Sequence, residues 1–180
     1  MTHKKLPVIL DHIKNKTWKV SIQRFDFFYD KHKTNHWFMF QYARALYKID
    51  NPTASLIALE AIKLAPNCPE CVLHASNILF KSHDSIELLN QFIKNDQITI
   101  MNNQCCEGIG WARSVHNDCL FVAAKYYHHH GNDDSARRYI DLHISGRTRG
   151  RKSAFDRKEI EELKRNLTDK LIDGSEYFRY

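Results

Sequence analysis

The run SLIALEAIKLAPNCPEC, Ser55–Cys71, decides how the rest of the chain is read. Either a helix ends here in a proline turn and a second helix starts, or Cys68-Pro-Glu-Cys71 is a knuckle that grips a metal or exchanges a disulfide. Leu56, Leu59 and Ile62 recur at the three-to-four spacing of one helix face, and Pro66 stops the run. A structural zinc site needs four ligands, and the other cysteines are the adjacent Cys105-Cys106 and the distant Cys119. A redox pair would want a βαβ setting, and the surrounding pattern offers none. The segment therefore reads as a helix end, a proline turn and a new helix start with one partly buried thiol; neither metal nor other cofactor is expected.

The same periodicity extends outward. Phe38, Tyr42, Ala45 and Ile49 form one stripe, Leu73, Ile78 and Leu79 another, and sustained period-two alternation is missing. Six glycines and four prolines in 180 residues leave room for long helices with short connections. A chain of this length buries roughly 70% of its unfolded surface, so its core needs no disulfide or metal. The expected fold class is all-α, in a single α-helical domain over residues 1–180.

The N-terminal residues are too short and broken in their apolar run for a signal peptide, and no later run reaches membrane-span length. With five cysteines, an odd count, the expectation is a cytoplasmic protein with reduced thiols and no membrane partner. The net charge of +6 is uneven: +6 over residues 1–50, −3 over 51–110, +4 over 111–152 and −1 beyond. An acidic middle between basic ends suits electrostatic steering of a partner better than dedicated nucleic-acid binding.

Helix ends carry their own signals. Asn51-Pro52 offers an N-cap before a proline at the first helical position, Asp84 with Glu87 and Ser153 with Asp156 have capping-box-like spacing, and Gly131-Asn132 ends one helix and opens the next. Helices joined by two to five residues must pack as antiparallel hairpins. Residues 35–68 read as one such hairpin and residues 117–150 as another. On these residues the chain resembles the tetratricopeptide repeat, a helical hairpin of about 34 residues. With Asn35 first, Ala54, Ala61 and Pro66 fall on the two small positions and the closing proline of that family. With Asn117 first, Ala124, Tyr127 and Ala136 fall on small, aromatic and small positions, and Gly131 on the turn glycine. A middle unit from Pro69 has Ser76 at its small position. The departures are an absent early tryptophan, His143 and Thr148 in place of the second alanine and proline of the last unit, and an irregular insert near residues 97–112.

The resemblance implies hairpins stacked as a short solenoid across residues 35–150, N-terminal helices in 1–34, and a capping helix and tail in 153–180. Phe155, Ile160, Leu163, Leu167 and Leu171 give that last helix its apolar stripe. The family also implies a groove lined by first helices, presenting His36, Met39 and Tyr47, then Glu70 and Asn77, then Asp118, Phe121, Lys125 and His128. Met39 and Phe121 would be partly exposed anchors. The function expected is non-catalytic binding and masking of one protein or peptide partner, as an immunity protein, chaperone or adaptor does.

Three other features bear on chemistry. Arg138 and His143 have the arginine-x4-histidine spacing of a family of all-helical ribonucleases, where a cation and an imidazole act on an RNA phosphate. The stretch GRTRGRK, Gly146–Lys152, reads as an exposed linker whose Arg147, Arg149, Arg151 and Lys152 could contact RNA or an acidic protein. A small helical ribonuclease or an RNA-binding adaptor is the alternative these residues support. His128-His129-His130 cannot all face one ion, because consecutive helical side chains diverge by about 100°, and they suit a polar helix end instead.

Overall fold

The computed structural model describes residue 13 and residues 15–80, 83–94 and 108–174. Among these the chain is all-α. In order the helices are α1 (Trp18–His32), α2 (His36–Tyr47), α3 (Ala54–Leu64), α4 (Pro69–Ile78), α5 (His83–Lys94), α6 (Ile109–His129), α7 (Asp133–Thr148) and α8 (Arg157–Gly174). The chain divides into two compact units, one ending at Leu79 and the other starting at Phe80.

In the first unit α2 and α3 form the predicted hairpin, with α1 packed on α2 and α4 on both. Asn35 starts α2 by accepting a hydrogen bond at Oδ1 from the Phe38 N–H, 3.2 Å away. Phe25 and Phe38 meet edge to face at 5.1 Å, and both are fully buried. Burial of such a ring is worth about 1.5–3 kcal/mol. The small residues expected at the hairpin contact, Ala54 and Ala61, are buried, so the two helices approach closely. The N-cap expected at Asn51 is displaced: α3 begins at Ala54, and the Asn51 carboxamide instead accepts from the Thr53 N–H at 2.9 Å and hydroxyl at 2.7 Å. Leu56 and Ile49 are exposed, because Ile57, Ala58, Ala61 and Ile62 take the inner face of α3 and the chain turns outward after Tyr47.

In the second unit α6 is central. Asn117 through Ala124 are buried without interruption, as expected of a helix covered on all sides, and α5, α7 and α8 all pack on it. The α6–α7 turn follows its sequence: Gly131 takes φ +75°, and Asn132 caps α7 by accepting from the Ser135 N–H at 3.1 Å. Tyr127 and Tyr139 stack at 5.5 Å, and the Asn90 carboxamide bonds both hydroxyls, fastening α5 to the hairpin. The terminal helix covers an apolar face as expected, since Ile160, Leu163 and Leu167 join Phe121, Ala124, Ala136 and Ile140 in one core. Leu171 lies outside the described side chains.

Three boundaries move. Asp84 lies inside α5, which has already begun at His83. The cap of α8 is Asp156, which accepts from the Lys158 N–H at 2.9 Å, while Ser153 turns to Asp118. The irregular insert is cut short because α6 starts at Ile109, leaving residues 97–107 outside the described part.

Candidate functional site

In the second unit, α6, α8 and Phe80 enclose an open groove of about 380 Å³. Its walls are Phe80, Phe121, Lys125, His128, His129, Glu159, Glu162, Leu163 and Asn166. Helix geometry explains the set: Phe121, Lys125 and His128 succeed one another at steps of four and three along α6, and Glu159, Glu162, Leu163 and Asn166 stand at i, i+3, i+4 and i+7 along α8. The floor is apolar and the rim carries charge. Lys125 Nζ bonds Glu159 Oε1 at 2.9 Å and lies 5.7 and 5.8 Å from the ring centroids of Phe121 and Phe155. Both partners are partly solvated, so the ion pair orients more than it stabilises, at about 0–1 kcal/mol. His128 Nδ1 is held 2.8 Å from Asp133 Oδ1. His129 contacts Phe80 and His130 contacts Tyr126, and these two rings also meet edge to face at 5.2 Å, while His128 is held at Asp133.

Three of the sequence-predicted groove residues, Phe121, Lys125 and His128, are thus brought together. The others are not. Met39 and Phe121 are buried core side chains, not exposed anchors, because each helix turns that position onto its neighbours; Phe121 contributes only the sealed floor. Asp118 is buried and accepts from the Ser153 hydroxyl at 2.5 Å and the Ala154 N–H at 3.0 Å, tying down the approach to α8. Burial raises its carboxyl pKa, and those hydrogen bonds oppose the shift. Asn77 is half-buried and donates to the Leu73 carbonyl at 2.9 Å. Tyr47 is exposed, and Glu70 Oε1 lies 3.9 Å from His74 Nε2. The sequence reading missed Phe80, His129, Glu159, Glu162, Leu163 and Asn166, the last four because α8 was read as a cover alone; the polar positions beside its apolar stripe were the available signal.

The ribonuclease pair comes apart. Arg138 is exposed, whereas His143 is fully buried, with Nδ1 2.7 Å from the Asn117 carbonyl. Its pKa is lowered, chiefly by burial, so the ring is kept neutral. Five residues along a helix place the two on different faces, and the imidazole cannot reach a phosphate beside the arginine.

The basic stretch is not the free linker expected. Helix α7 runs on through Thr148 because Gly146 fits beneath the Asn117 side chain. Arg147 donates to the Phe155 carbonyl at 3.3 Å and Arg151 is half-buried, while Lys152 and Arg149, which donates to the Ser145 hydroxyl at 2.7 Å, are exposed.

In the first unit, Cys68 is the residue before α4 and Pro69 its first position, so the opening segment is the helix start it was read as. Both thiols are buried, not one. The structure also brings His36 to them: one ligand atom each of His36, Cys68 and Cys71 lie within 4.8 Å of one another.

No family model matches this chain, and no curated protein matches it either. Among solved structures it is similar to MamA, a tetratricopeptide-like helical protein, with a TM-score of 0.58 at 13% identity, over 93% of this chain and 96% of that one. The fold is therefore tetratricopeptide-like, as the resemblance implied. Among the described residues, no helix is long and apolar enough to cross a membrane.

Proposed function

We propose that this chain is a non-catalytic protein-binding module that holds and masks a segment of one partner protein, in the manner of a chaperone, adaptor or immunity protein. The observation that carries the reading is the groove between α6 and α8, with its apolar floor and charged rim. Lys125 is paired with Glu159, which leaves Glu162 as the carboxylate facing an incoming ligand. A segment with one apolar side chain beside a lysine or arginine complements that arrangement. The tetratricopeptide-like fold supports the reading by analogy, since hairpin stacks display such faces.

The test is retention of a partner by purified protein and by two surface variants. Glu162→Lys reverses the rim charge and Asn166→Trp fills the groove; both positions are exposed and outside the core. Each is expected to weaken binding about 10-fold or more, while Arg149→Ala/Lys152→Ala leaves it unchanged. Loss of binding in the basic variant alone, or binding of RNA in place of protein, would move the working surface to residues 147–152.

A further inference from the structure

The first unit carries three soft ligands in one place. Cys68 precedes α4 and Cys71 lies in its first turn, a spacing that turns both sulfurs to the same side of the helix start. His36 opens α2, and α2 packs on α4, so the beginnings of two helices converge there. Cys71 Sγ donates to the His36 carbonyl at 4.0 Å, which holds the two starts together. Both cysteines are buried and the histidine is half-buried.

We infer that His36, Cys68 and Cys71 form a zinc site with its fourth position open to solvent. Cys-x2-Cys is the usual chelating spacing, and two thiolates with an imidazole suit a borderline-soft divalent ion over magnesium or calcium. Zinc bonds of about 2.3 Å to sulfur and 2.0–2.1 Å to nitrogen place tetrahedral neighbours roughly 3.6–3.8 Å apart. The observed limit of 4.8 Å therefore needs a closure of about 1 Å, within reach of side-chain rotation. The helix N-terminus at Cys68 and Cys71 favours the thiolates that binding requires, and the ion neutralises the pair. Three protein ligands leave one position for water or for a donor from a partner. The site is independent of the groove in the second unit.

Cobalt(II) titration of the full chain under anaerobic, reducing conditions tests this. One cobalt per chain, with thiolate charge-transfer bands and the intense visible bands of tetrahedral cobalt, is expected, and zinc should displace it. His36→Ala should weaken binding about 100-fold or more, as should Cys71→Ser. The triple variant Cys105→Ser/Cys106→Ser/Cys119→Ser should keep wild-type bands. His36 is half-buried, so its variant is expected to fold, with circular dichroism as the check, and it decides the case even if Cys71→Ser does not fold. Absence of the bands in reduced wild type, or undiminished affinity in His36→Ala, would overturn the site.

Discussion

The α2–α3 and α6–α7 hairpins share a repeat register but use it differently. Asn35 and Asn117 hold the same position, as do Ala61 and His143, and Leu64 and Gly146. In the first hairpin Asn35 stands before the helix and caps it, and Ala61 lets the two helices close. In the second, α6 begins at Ile109, about two turns before Asn117. The N–H groups that a cap would bind are already used within the helix. The Asn117 side chain turns inward instead and lies against His143, its Nδ2 3.1 Å from the ring Nδ1. Among the described residues, Asn117 Oδ1 and His143 Nε2 have no hydrogen-bond partner. Repeat position thus specifies where a residue sits, whereas the point at which its helix starts decides what it does.

Four substitutions probe that difference. The largest effect is expected at Gly146, where an added Cβ would come within 1.9 Å of Asn117 Oδ1. Because Asn117 is fully buried, its amide has little space to withdraw, and Gly146→Ala should cost about 1–3 kcal/mol. The equivalent Leu64 is exposed, and Leu64→Ala should stay within about 0.5 kcal/mol. Urea denaturation of both variants gives the comparison, and equal small losses would show that Asn117 is not confined as described.

Next comes the cap. Asn35→Ala removes the acceptor for the Phe38 N–H and should lower stability by about 1 kcal/mol in thermal melts. A loss indistinguishable from zero would mean that α2 starts without it.

The smallest effect is a slope with pH. Burial lowers the His143 pKa in the folded protein, so the unfolded chain binds a proton that the folded one refuses. This contribution to stability is complete above about pH 6.5, the unfolded value, and is lost as pH falls toward the folded value. His116 and His74 shift in the same direction, chiefly through burial, with His74 brought down to about 4. His143→Gln should therefore flatten the decline in stability below pH 6.5 without removing it, as chemical denaturation at pH 7.5 and 5.5 would reveal. An unchanged slope would mean that His143 titrates alike folded and unfolded.

Much of the architecture was legible in the sequence because it rests on local rules. Three-to-four spacing gave helices, Gly131 with Asn132 a turn, and the stripe Ile160, Leu163 and Leu167 the terminal cover. Small residues at Ala54, Ala61, Ala124 and Ala136 marked the close contacts because a larger side chain would hold the helices apart. The groove was half legible: the α6 residues Lys125 and His128 were named, but their partners on α8 were not.

What the sequence determined by itself was the helical class, the hairpin register and the Gly131-Asn132 turn, since each depends on residues within a few positions of one another. Tertiary structure alone decided the rest. It buried Met39, Phe121 and Asp118, sent His143 inward and Arg138 outward, continued α7 through Gly146, and set His36 beside Cys68 and Cys71. Each of those outcomes turns on which helix packs against a given face, and local periodicity does not encode the neighbour across it. Counting cysteines left the Cys68–Cys71 pair short of ligands; the packing of α2 on α4 supplied the histidine.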